Sequence, residues 1–166
     1  MVFQRSLHTP IGDLSIAEEG GMIVALSWGW SPQQADSPVL AQAVAELSAY
    51  FAMRLPGMQF HLPLAPQGTP FQQRVWLALC RLLPGETKAY SALAGELGTS
   101  PRALGQAVAR NPIPIFIPCH RVVALHGLGG YSGGEGVATK RYLLELERTA
   151  LRKQAPVGDA TMERKG

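Results

Sequence analysis

The residues best equipped for chemistry are neighbours. Cys119 and His120 lie in Ile-Pro-Ile-Phe-Ile-Pro-Cys-His-Arg-Val-Val, residues Ile113 to Val123. A cysteine attacks as its thiolate, and an adjacent imidazole can take the thiol proton. Such a base is commonly held by a carboxylate that sets its tautomer and stabilises the imidazolium. Glu147, on the polar edge of an apolar helical pattern, is the candidate for that role. The spacing leaves other readings open, because Cys-His pairs also occur in cores and at metal sites. Pro112, Pro114 and Pro118 fix φ and remove donors, which excludes an ordinary central strand. The segment is expected to be extended and to end in a tight turn. In a strand, Cys119 and His120 would face opposite ways. Either the backbone turns there or a water connects thiol to imidazole.

The rest of the chain must position this pair. Val2–Leu7, Asp13–Glu18 and Met22–Trp28 read as short strands joined by Pro-Ile-Gly-Asp and Glu-Gly-Gly turns, which predicts a small antiparallel sheet. Trp28 and Trp30 are expected to serve packing. Ser31–Ser37 is a polar linker, and apolar residues from Val39 to Phe51 recur at helical spacing over Pro38–Met53. Leu55–Pro66 is a proline-punctuated connector. Thr69-Pro70 caps a further helix, whose stripe of Phe71, Val75, Trp76, Leu79, Cys80 and Leu83 places Cys80 in the core. Ser91–Leu97, a Gly-Thr-Ser turn and Pro101–Arg110 form helix, turn, helix. Ala103, Gly105, Ala107 and Ala109 make the second helix slender, suited to close helix packing or to a narrow groove. A glycine-rich loop carrying Tyr131 and Ser132 follows the cysteine, then a last helix. From Arg148 onward the chain reads as a frayed polar tail.

Composition bounds the partners. The chain has 166 residues, 15 Lys and Arg against 12 Asp and Glu, and a net charge of +3. That balance permits nucleic acid without demanding it, and no Lys/Arg run forms a polybasic tail. Two cysteines make no disulfide scaffold, the first residues lack a signal peptide's apolar stretch, and no segment is apolar enough to span a bilayer. A soluble cytoplasmic protein with no membrane partner is the expectation.

Asn111-Pro-Ile-Pro-Ile-Phe-Ile-Pro-Cys-His-Arg-Val-Val, Gly130-Tyr-Ser-Gly-Gly, Lys140 and Leu143-Leu-Glu-Leu-Glu147 together resemble the O6-alkylguanine-DNA alkyltransferases. Gly68-Thr-Pro-Phe-Gln-Gln-Arg-Val-Trp76, Pro84-Gly-Glu-Thr87 and Tyr90-Ser-Ala-Leu-Ala94 match the same family in the same order. The resemblance runs from Thr9 to Glu147. It implies single-turnover transfer of an alkyl group from O6 of guanine in double-stranded DNA to Cys119. His120 would act through a water, Glu147 would orient it, and Tyr90 would protonate the departing guanine. It implies minor-groove binding by the second helix through Arg102, Ala103, Gln106 and Arg110, with Arg102 filling the gap left by a flipped base. Asn111 would be the hinge of the cysteine segment. Val108, Pro114, Tyr131 and Ser132 would line the pocket, and the carbonyls of Cys119 and Val122 would accept from the exocyclic amine. Arg121 belongs to the motif with no role read for it. Some relatives carry zinc in the N-terminal part. Here only His8 and His61 stand there, which make no tetrahedral site, so no metal or cofactor is expected.

The fold expected is mixed α/β (α+β). Residues 1–66 would form an αβ scaffold, residues 67–148 a mostly helical, winged-helix-like DNA-binding domain, and residues 149–166 a tail, in a monomer. Two departures from the family bear on Glu147: Glu135–Thr139 is a couple of residues longer than usual, and Arg148 follows Glu147 where relatives often have glycine. A Cys-His-Glu thiol hydrolase and a non-catalytic base-flipping relative are the competing readings. The first would need an oxyanion hole, and the second would lack the cysteine.

Overall fold

The structure, a computed structural model, describes residues 1–156. Three antiparallel strands come first: β1 (Val2–Leu7), β2 (Leu14–Glu19) and β3 (Met22–Trp28), in the order β1-β2-β3. The second strand starts and ends one residue later than its sequence predicts. As the central strand it is buried from Leu14 to Glu18, and a register shift at Ala17/Glu18 bends it against β3. The polar linker is not loose. Ala35 N donates to the Gln4 carbonyl at 2.8 Å, and the Ser6 amide donates to Gln34 Oε1 at 2.9 Å. The linker thus covers the free edge of β1, where unpaired donors would otherwise invite another strand.

Helix α1 (Pro38–Phe51) begins at Ser37, whose hydroxyl accepts from Leu40 N, and ends two residues sooner than predicted because Met53 turns to positive φ. A short 3₁₀ turn, Pro56–Met58, leads into the connector, and Leu64 pairs in parallel with Ile23 of β3. Helix α2 (Pro70–Cys80) has a full capping box, Thr69 with Gln72. Helices α3 (Tyr90–Leu97) and α4 (Pro101–Ala109) follow, separated by Gly98 in the left-handed region and Ser100 as N-cap. Two-residue strands β4 (Lys88–Ala89) and β5 (Val122–Val123) pair in parallel and tie the approach of α3 to the segment after the cysteine.

Helix α5 runs Val137–Gln154, so six residues assigned to the tail are helical. Ala150 is fully buried, and Gln154 donates to the carbonyls of Met53 and Leu55 at 3.0 Å while accepting from Gly57 N at 2.8 Å. The remainder of the expected tail, residues 157–166, lies outside the described residues. Cys80 corrects a second expectation. It is exposed at the end of α2, on the rim of a cleft formed with Phe60, Leu62, Leu83 and Pro118, and crowding there pushes its thiol up. Trp30 corrects a third, being half exposed and stacked on His8 at 4.6 Å.

The two halves share one apolar core. Leu7, Ile16, Leu26, Leu47 and Tyr50 from the first part pack in the same cluster as Val75, Leu104, Ile113, Phe116 and Leu143. Leu26 N donates to the Pro112 carbonyl at 3.0 Å, which joins the sheet directly to the cysteine segment. Among the described residues, no helix is long and apolar enough to cross a membrane.

Candidate active site

The cysteine segment is built from local constraints. Asn111 ties it at both ends: Oδ1 accepts from Ile113 N at 2.9 Å and Nδ2 donates to the Ile117 carbonyl at 2.8 Å. Ile115 sits at φ 74°, a left-handed conformation that a β-branched residue rarely adopts. The flanking prolines, the burial of Ile113 to Ile117 and the Ile117 N to Ile113 O bond of 2.8 Å hold it there. Pro118, at φ −79° and ψ 67°, makes an inverse γ-turn in which Cys119 N donates to the Ile117 carbonyl. Cys119–Arg121 is then one 3₁₀ turn. The backbone therefore turns at the thiol. Thiol and imidazole are not hydrogen-bonded to each other among the described residues.

His120 is fully buried, and its Nε2 lies 2.7 Å from Oε2 of Glu147, also fully buried. An ionised carboxylate can only accept, so Nε2 carries the hydrogen and the Nδ1 lone pair is the basic site. Nδ1 itself is buried and makes no protein hydrogen bond among the described residues. Arg121 grips the same carboxylate. Its Nε donates to Oε1 at 2.9 Å and its Nη2 to Oε2 at 2.8 Å, while Nη1 donates to the Leu82 carbonyl at 2.7 Å. Tyr50 of α1 adds a further donor to Oε2 at 2.7 Å. Burial pushes the Glu147 carboxyl up, but His120 and Arg121 outweigh it and hold it well below the ordinary carboxylate range.

Cys119 is 8% exposed, at the floor of a cleft of about 360 Å³ lined by Tyr90, Gly105, Val108, Tyr131 and Ser132. A second cleft reaches the same cysteine from the sheet side, past Trp28, Asn111 and Pro114. Burial raises the thiol, while Asn111 and the charge of Lys140 pull it down. Lys140 is itself buried; its Nζ donates to the carbonyls of Val122 at 2.6 Å and Gly130 at 3.2 Å and lies 5.7 Å from the Tyr90 ring centre. Burial lowers its pKa to about 8. Tyr90 is raised by burial and by Cys119, so its hydroxyl stays a proton donor.

The structure thus brings together Cys119, Tyr90, Val108, Tyr131 and Ser132 at one cleft, with Asn111 and Pro114 at its neighbour, while His120 and Glu147 are buried and bonded to each other outside both cleft linings. Arg102, Gln106 and Arg110 stand apart on the exposed face of α4, with Ala103 partly covered. Val122 differs from expectation. Its side chain is fully buried away from both clefts and one acceptor position of its carbonyl is taken by Lys140. Sequence reading missed three participants: Arg121, Tyr50 and Lys140. A buried tyrosine hydroxyl usually finds a partner, and that was the available signal for Tyr50. Its position on an apolar helical stripe hid it among core residues.

The family models that match are the 6-O-methylguanine DNA methyltransferase ribonuclease-like domain over residues 2–66 and the DNA-binding domain of the same proteins over residues 70–149. The chain belongs to the 6-O-methylguanine DNA methyltransferase family. It is 39% identical to the constitutive methylated-DNA–protein-cysteine methyltransferase of Bacillus subtilis, over 93% of this chain and 100% of that one. It is 40% identical to the Mycobacterium bovis methylated-DNA–protein-cysteine methyltransferase, over 90% and 94% of the two chains. The crystal structure of Mycobacterium tuberculosis O6-methylguanine methyltransferase superposes with a TM-score of 0.79 at 39% identity, covering 95% and 96%. A structure of the M. tuberculosis protein in complex with DNA gives the same score at 40% identity, covering 93% and 96%.

Proposed function

We propose that this chain repairs DNA by accepting an alkyl group from O6 of guanine onto Cys119, once per molecule. The observation that carries the assignment to Cys119 is its place on the cleft floor, next in the chain to His120, whose Nε2 is bonded to the buried Glu147. In the transfer, the sulfur bonds the alkyl carbon in line as the carbon–O6 bond breaks, and that electron pair stays with guanine. The thiol proton passes toward Nδ1 of His120, through a water. Tyr90 donates to the guanine ring nitrogen, so the base departs neutral. Ser132 hydrogen-bonds the alkylated oxygen, and Val108, Pro114 and Tyr131 wall the pocket.

DNA is bound through α4, whose outer face presents Arg102, Gln106, Ala109 and Arg110 around the small Gly105. A helix this slim fits a minor groove about 6 Å wide better than a bulky one. A base inside a duplex must be flipped out to reach Cys119. Arg102, at the start of α4, stacks into the gap. The protein acts as a monomer.

The test is an intact-mass measurement after incubation with a duplex containing O6-methylguanine. The chain gains one methyl group, located on Cys119, and repaired base stops accumulating at one per chain. Cys119→Ser transfers nothing. Sustained turnover would instead indicate a thiol hydrolase.

A further inference from the structure

We propose that Tyr50, on the N-terminal helix α1, is a positioning residue for alkyl transfer at Cys119, its hydroxyl fixing the Glu147 carboxylate that fixes His120. The inference rests on the functional reading above and adds to it a residue from the half of the chain that otherwise carries no chemistry.

Glu147 Oε2 accepts from three side chains: Tyr50 Oη at 2.7 Å, His120 Nε2 at 2.7 Å and Arg121 Nη2 at 2.8 Å. Arg121 supplies a fixed positive charge beside the carboxylate, and its two-pronged grip sets the carboxylate plane. A guanidinium does not by itself decide how far the carboxylate slides along its fork. Tyr50 does, because it donates to the same oxygen that His120 uses and so pins that oxygen while both prongs of the arginine stay made. Tyr50 in turn cannot move. It is fully buried, with its ring edge-on to Phe51 at 5.3 Å and tilted against Phe60 at 5.1 Å, and Phe60 meets Phe116 of the cysteine segment at 4.8 Å. The hydroxyl stays protonated, since burial and then the Glu147 charge raise it well above its ordinary value.

The ionisable groups around this carboxylate are Tyr50 from α1, His120 and Arg121 from the 3₁₀ turn and Tyr131 from the glycine-rich loop; Cys119 and Lys140 influence each other. Removing the Tyr50 hydroxyl leaves more of the carboxylate charge on Oε2 facing His120. The Nε2–H···Oε2 bond then strengthens, which changes how readily the Nδ1 lone pair accepts the thiol proton.

Tyr50→Phe in the full chain removes one oxygen and retains the ring. The expected result is transfer from O6-methylguanine duplex slowed by about tenfold with DNA affinity unchanged, and an acid limb of the pH–rate profile moved up by roughly half a unit. Replacing Tyr50 with 3-fluorotyrosine, a better donor of nearly the same size, moves that limb down. It also keeps the test valid should Tyr50→Phe fail to fold. A uniform rate loss with no change of profile in either protein would overturn the proposal and leave Tyr50 a packing residue. Nitrogen-15 NMR of His120 separates this failure from that of the functional reading. The Nε2–H form is expected in the unaltered chain and in Tyr50→Phe, with its Nε2–H resonance displaced in the variant by the altered bond to Glu147, whether or not the chain transfers alkyl groups.

Discussion

At the scale of single residues, Glu147 serves two masters, a base and a buried guanidinium. Glu147→Gln therefore does more than disturb His120; it leaves Arg121 buried without a counter-charge. The expected cost is about 3–5 kcal/mol of stability, read from urea unfolding, in addition to a slower transfer. Because the folded carboxyl is held below its ordinary range, its stabilisation is present above about pH 4 and is lost as the pH falls toward the folded value. The acid-induced loss of stability should be shallower in Glu147→Gln; equal slopes would remove Glu147 from that role. Lys140 acts on the thiol. Lys140→Gln should raise the pH at which Cys119 reacts with a small alkylating reagent. In the unaltered chain the help from this charge fades as pH passes about 8. An unmoved midpoint would leave Lys140 as a tie between Val122 and Gly130 only. The pairing of His120 with Glu147 could be read from the chain because an imidazole beside a thiol calls for a carboxylate. Arg121 could not, since an arginine beside a motif says nothing about where its fork will reach.

At the scale of elements, α4 divides its residues between packing and an open face. Leu104, Ala107 and Val108 are buried, while Arg102, Gln106 and Arg110 are exposed. Arg110, at the C-terminal end, is expected to meet phosphate, so Arg110→Ala lowers the salt slope of DNA binding by about one. Arg102→Ala should slow repair in a duplex more than it weakens binding, and barely affect repair of the free alkylated base. Arg102→Lys keeps the charge and loses the stacking plane; full duplex repair by that variant would reduce Arg102 to a phosphate contact. The helices were legible because their ends are marked, with Ser37, Thr69 and Ser100 as N-caps ahead of proline. One error came from composition outweighing pattern. Ala150 and Leu151 continue the stripe of Leu143 and Leu146, yet the charged residues around them read as tail. Arg152 and Lys153 in fact suit the C-terminal turn of a helix. Cys80 errs the other way: at the last position of α2 the stripe reaches an open cleft instead of the core, so an apolar position came out exposed.

At the scale of the whole molecule, the division at residue 66 marks a change of architecture but not a break in the core. Tyr50 reaches Glu147, Leu26 holds Pro112, and Gln154 clasps the end of α1 and its connector. Thermal unfolding should accordingly be a single transition, coincident when followed at Trp28 in the first half and at Trp76 in the second. Two separated transitions would show the halves to be independent. This union was hidden in the sequence because it depends on pairs about a hundred residues apart, which no local period records. One consequence concerns counting. The chain carries two thiols of opposite accessibility, Cys80 open at the surface and Cys119 beneath the cleft. A protein that can act only once is consumed like a reagent, and its remaining stock is what matters to a cell. A thiol label too bulky to enter the cleft tallies every native molecule through Cys80. The same label after unfolding finds a second sulfur only in molecules not yet spent. The ratio of the two readings gives the unspent fraction of a preparation without any substrate.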